Sequence, residues 1–211
     1  MTASIHLITA DAITDSRIAS VLLSLLFIGV SMLVCLLLTY FMQKQEIQTY
    51  PQLQMILAGS FALALYLTYG FSLTAVQGMI LFFILLYASC SDLTTHTMDD
   101  YLWVMVLILG LGSVHTVGLP SMLIGAAMVF VPQMLIALLP PHKALGGADI
   151  KLSTALAFLL GWERGLAALL FGLLFAVVVM LIVQKMSPKK KKQPFALIPF
   201  LAVGALLMFL I

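Results

Sequence analysis

The chain has 211 residues, of which 63% are apolar and 9% charged, against roughly 25% charged in an ordinary water-soluble domain. One core cannot hide that much apolar surface, whereas a bilayer accepts it on every outward face, so the composition excludes a soluble globular enzyme and predicts an all-α, polytopic membrane helix bundle. The formal charge of +2 is no nucleic-acid signal, because eight of the ten basic residues fall in short connections between apolar runs.

About 20 apolar residues cover the hydrocarbon layer as a helix, and on that ruler about eight transmembrane helices are expected, at 18–41, 53–69, 73–90, 101–119, 121–139, 150–162, 165–183 and 195–211. The first run is too long for a secretory signal and lacks a small-residue cleavage site after it, so it reads as a permanent span. The sixth is short and carries Lys151 near its start, which predicts a helix that tilts or ends inside the bundle. Cys35 and Cys90 fall within or at the end of apolar runs and are expected to pack as small hydrophobes, and the thirteen methionines as adaptable filler. Cytoplasmic loops carry the excess of Lys and Arg. With the N-terminus outside, Lys44, Lys143, Lys151, Lys185 and the four lysines at 189–192 all face the cytoplasm, and Arg17 and Arg164 remain outside.

That topology puts Asp92, Asp99, Asp100 and Asp149 on the cytoplasmic side. Asp92 directly follows one apolar run and Asp149 directly precedes another, so both carboxylates lie at similar depth at the membrane edge. Ionisable groups there are costly and mark functional sites. Two carboxylates held about 3 Å apart cannot both ionise and keep one shared proton. The ionised member then takes a proton from water while the protonated one polarises a peptide carbonyl. An aspartate opening a helix also serves as an N-cap, which is the plain structural alternative for Asp149. Gly146 and Gly147, before that helix start, let a backbone approach closely or adopt conformations closed to other residues, and so let a substrate strand lie against the loop.

The run Gly146-Gly147-Ala148-Asp149-Ile150-Lys151-Leu152 resembles the GxGD signature of membrane aspartyl peptidases, and its continuation to Gly161-Trp162 is similar to the second catalytic segment of type IV prepilin peptidases. Ser91-Asp92-Leu93-Thr94-Thr95-His96 through Asp99-Asp100 resembles the first, and Pro194-Phe195-Ala196-Leu197-Ile198-Pro199 the start of the closing helix. The resemblance implies one integral membrane peptidase domain over 1–211, with Asp92 and Asp149 catalytic and Gly146, Gly147, Ala148, Lys151 and Asp100 shaping the loops or binding substrate. It implies a pilin-like precursor as substrate and release of a short basic leader at the inner (plasma) membrane. Ala148 stands where the signature has its second glycine, and Asp99 where the family usually has proline. The cysteine-bearing cytoplasmic domain of many members is not found, so N-methyltransferase activity is not expected.

Membrane lipids are the other expected partners, with the lysines at 189–192 meeting anionic headgroups and Lys151 either screening Asp149 or meeting a headgroup. Neither cofactor nor metal is expected. His96, Asp99, Asp100 and His142 are ligand-type side chains, but no dense ligand spacing such as HExxH joins them. His6 and His115 fall on the outer side and read as incidental. A proton-coupled transporter or channel using the same carboxylates is the alternative class. It calls for carboxylates at the midplane and an inverted repeat, and the sequence offers neither. Oligomeric state is not legible.

Overall fold

The computed structural model describes residues 2–139, 146–186 and 196–211, with residues 2–17 as helix backbone only. Its helices are α1 (Thr2–Lys44), α2 (Pro51–Tyr69), α3 (Leu73–Thr95), α4 (Asp100–Leu111), α5 (Val114–Val117), α6 (Leu119–Leu138), α7 (Gly147–Met186) and α8 (Ile198–Leu210). Five are long and apolar enough to cross a membrane, namely α1 from Ile18 onward, α2, α3, α6 and α7; α4 and α8 are shorter apolar helices. The chain is therefore a multi-pass helix bundle, as the composition requires.

Local chemistry sets the boundaries. Pro51 opens α2, where its missing N–H interrupts no helical bond. Ser72 caps α3, its hydroxyl accepting the Ala75 N–H at 3.2 Å, and α3 ends on His96 in the left-handed conformation. The run 101–119, expected as one span, breaks. Helix α4 stops at Leu111, and the four-residue α5 leads to Gly118 at φ 85°. The amide of Gln77 on α3 stabilises this break by donating to the Leu109 carbonyl at 2.8 Å and to Ser113 Oγ at 2.7 Å.

The runs 150–162 and 165–183 are continuous within α7 but interrupted at Gly161, whose φ of 81° and ψ of 179° are non-helical. A methyl group on Gly165 would lie 2.6 Å from the Ala157 Cα, whereas eight residues along a straight helix span about 12 Å. The chain thus doubles back at Gly161, and α7 is a hairpin of two limbs, 147–160 and 162–186. Helix α6 seats against the turn through Gly125, where a Cβ would meet the Gly161 carbonyl carbon at 2.7 Å. Two spans read from sequence become two antiparallel limbs, and the short sixth run is the buried one, with Leu152, Ala155 and Ala157 fully enclosed.

The second limb packs on α8 through glycines. A Cβ on Gly172 would lie 3.0 Å from the Phe200 carbonyl oxygen, and one on Gly204 would collide with the Ala168 carbonyl oxygen. Such small-residue seams let membrane helices approach backbone to backbone. A polar network ties α1, α2 and α3. Thr39 Oγ1 donates to Gln54 Oε1 at 2.8 Å, and Gln54 Nε2 donates to Cys90 Sγ at 3.2 Å. Cys35 is fully buried, and Cys90 is half-buried and accepts that amide hydrogen, so the second thiol does more than pack.

Candidate active site

The ends of α3 and α7 that carry the aspartates meet the start of α8. Residues at the start of a helix have N–H groups without intrahelical acceptors. In α8, Phe200 and Leu201 donate back to the Leu197 carbonyl, Pro199 has no N–H, and the Ile198 N–H is left. It donates to Asp92 Oδ2 at 3.1 Å. Asp92, 8% exposed in the last turn of α3, thus caps a helix far away in sequence. That link fixes the depth and direction of its carboxylate, since the positive end of a helix favours an anion.

Asp149 is the third residue of α7 and is partly buried. Its carboxylate accepts the Gly146 N–H, the reach from third helical position back to N-cap that forms half of a capping box. Asp149 does not occupy the N-cap position itself. A methyl group on Gly146 would come 2.7 Å from Asp149 Oδ2, whereas one on Gly147 would meet no atom of the described residues within 4 Å. Among the described residues the glycines with a positive φ are Gly70, Gly118 and Gly161. Gly146 is thus a glycine over which Asp149's own side chain folds. Gly146→Ala is accordingly expected to push the Asp149 carboxylate out of place. Precursor cleavage should fall ~10²-fold, the scale of a 1 Å displacement in an active site, with the thermal unfolding midpoint little changed; unaltered turnover would remove Gly146 from the site.

The two carboxylates, 57 residues apart by number, are close enough that the charge of Asp92 acts directly on Asp149. Lys151 has Asp100 as its ion-pair partner. Its Nζ is 2.6 Å from Asp100 Oδ1 and 5.9 Å from the centre of the Trp103 ring. Lys151 holds the Asp100 carboxyl below its ordinary range, first through this hydrogen bond and then through its charge. The pair joins the start of α4 to the start of α7. Both side chains face water, at 47% and 76% exposure, so the link is screened by salt and adds little stability. Asp99 sits just before α4 with φ −65°, the angle a proline ring imposes, so its departure from the family's usual proline leaves the backbone path intact.

Among the described residues no group of three or more His, Cys, Asp or Glu is placed to hold a metal ion. His142, Lys143, the lysines at 189–192, Pro194 and Phe195 lie outside those residues. Sequence reasoning missed the Ile198 N–H, because a main-chain donor has no side-chain signature; its one trace is Pro199, which removes the competing donor.

Residues 79–183 match the family model described as the type IV leader peptidase family. The matched stretch runs from α3 into the second limb of α7 and contains both aspartates. The fold and this match make the chain a multi-pass membrane peptidase. It belongs to the type IV leader peptidase family. No curated protein and no solved structure matches it.

Proposed function

We propose that the chain is an aspartyl endopeptidase in which Asp92 and Asp149 together activate water, and that it removes the short basic leader from type IV prepilin-like precursors at the cytoplasmic face of the inner membrane. What supports this reading is that two carboxylates from separate helices, each held by one main-chain N–H, lie within Coulombic reach of each other at one end of the bundle. One shared proton serves both. The ionised carboxylate takes a proton from water as its oxygen bonds to the scissile carbonyl carbon, and the protonated partner gives its proton to the carbonyl oxygen. Collapse of the tetrahedral adduct breaks the C–N bond. The proton passes to the leaving nitrogen, and the pair returns to its singly protonated state.

Orientation follows from charge. Lys44 and Lys185 lie in the last turns of α1 and α7, at the aspartate end with Lys151, and Arg164 lies beside the Gly161 turn at the other. The positive-inside rule then turns the aspartates to the cytoplasm. Resemblance to the family supplies the substrate class: a glycine before the cut and an apolar helix after it, lying in the bilayer so that the scissile bond sits at headgroup level. Gly147, where a Cβ would meet no atom of the described residues within 4 Å, is the position we assign to face the extended strand. Purified protein in lipid vesicles with a synthetic prepilin-like precursor should release the leader by a single cut, located by mass spectrometry and insensitive to chelators. A chelator-silenced reaction would overturn the aspartyl mechanism; proton-coupled solute flux without cleavage would favour a transporter.

A further inference from the structure

At the end of the bundle opposite the aspartates, a cavity of about 410 Å³ opens among Tyr69, Gln77, Ser121, Trp162, Glu163 and Arg164. A second hollow of about 430 Å³ lies between α3 and α4, lined almost wholly by apolar side chains, among them Leu73, Val76, Ile80, Ile84, Met105 and Ile108. Gln77 borders both, its amide fixed to Leu109 and Ser113, so the polar cavity and the apolar groove adjoin at one held side chain. From Leu73 to Ile84 the groove follows α3 for about 16 Å at 1.5 Å per residue, close to half of a hydrocarbon core ~30 Å thick. The pair of hollows therefore has the dimensions of one leaflet, polar at its headgroup level and apolar below.

We infer that this composite site binds one phospholipid with a primary-ammonium zwitterionic headgroup, of the phosphatidylethanolamine type, with an acyl chain in the α3–α4 groove. The charges at the mouth select the headgroup. Among the described residues the single ion pair is Lys151 with Asp100, so no described side chain of opposite charge pairs with Glu163 or Arg164. Arg164 uses one guanidinium nitrogen on the Ile211 carbonyl at 3.1 Å and has further donors for a phosphate. Glu163 offers a carboxylate to the ammonium. A trimethylated choline has no N–H to donate to Glu163, and an anionic glycerol headgroup brings no cation. Trp162, 42% exposed, places an indole at this level, where aromatic residues border the bilayer. The site is remote from the proposed chemistry, so its test is independent of that reading.

Native mass spectrometry of the detergent-purified protein, offered equal amounts of phosphatidylethanolamine, phosphatidylcholine and phosphatidylglycerol with the same chains, should show the first retained roughly tenfold better, the scale of one charge-assisted hydrogen bond. Glu163→Gln should bring phosphatidylethanolamine level with phosphatidylcholine. Ile108→Trp, which fills the groove, should weaken retention of all three, and glycerophosphoethanolamine without acyl chains should not be held. Equal retention of the three lipids by the unmodified protein, a result that depends on no variant, would overturn the proposal, as would unchanged selectivity in folded Glu163→Gln. Retention of the chainless headgroup as strong as that of the lipid would overturn the groove's part in it.

Discussion

Replacing either Asp92 or Asp149 with asparagine is expected to abolish precursor cleavage while leaving the protein folded. The substitution keeps the shape of the side chain and keeps an oxygen that accepts the Ile198 N–H or the Gly146 N–H, so helix caps survive. It removes a titratable oxygen, and with it the capacity to hold and pass a proton. Positioned acid–base groups contribute about 10²–10⁴-fold to a rate, and a pair acting as a unit loses nearly everything when one member is lost. Each single variant should therefore fall to background in a gel-shift assay of co-expressed precursor, and the double variant should be no worse. Unfolding midpoints in detergent should not drop, because an uncharged amide takes the place of a partly buried carboxyl whose ionisation burial disfavours. Asp92→Ala provides the contrast. It leaves the Ile198 N–H without its acceptor and should cost about 1 kcal/mol of stability, as lost caps do. Measurable cleavage by purified Asp149→Asn would end the mechanism.

The apolar runs were legible because a bilayer demands long uninterrupted stretches, and each of the eight lies largely on a helix or helical limb. The proposed pairing of Asp92 with Asp149 rests at the sequence level on depth and side, since both adjoin the ends of such runs. What sequence did not disclose is how the carboxylates are held. Asp92 is fixed by a main-chain N–H from α8, a contact that depends on tertiary packing. Nor did sequence disclose that the side chain three residues on folds over Gly146. Lys151 was expected beside Asp149 or a headgroup, and it reaches Asp100, because on a helix neighbouring positions point in different directions. The break of 101–119 was concealed by apolar residues that continue through it. Its glycines alone were too common in membrane helices to mark it, and the side chain that bonds the Leu109 carbonyl at the break comes from α3.

Gly204→Val is expected to separate α8 from the second limb of α7, with a large loss of stability and of cleavage together. A Cβ at this position falls on the Ala168 carbonyl oxygen and comes within 2.9 Å of the Gly172 nitrogen. Both obstacles are main-chain atoms, so no rotamer change relieves the clash and the helices themselves must part. Overpacking of this kind costs typically 1–3 kcal/mol, which should appear as a clear drop in the unfolding midpoint. The functional loss has a separate cause. Gly204 lies six residues from Ile198, about 9 Å along the same helix, and a rigid helix carries its displacement to its own first turn. There it lengthens the 3.1 Å bond that holds Asp92, and misplacing a reacting group by 1 Å costs ~10²-fold in rate. Measured well below the unfolding midpoint, turnover of Gly204→Val should still be reduced, whereas a protein that was merely destabilised would recover it. Gly29→Val on α1, where a Cβ meets nothing within 4 Å, should change neither quantity, which ties the effect to the α7–α8 seam and not to loss of glycine as such. Full turnover in folded Gly204→Val would mean that α8 does not set the position of Asp92.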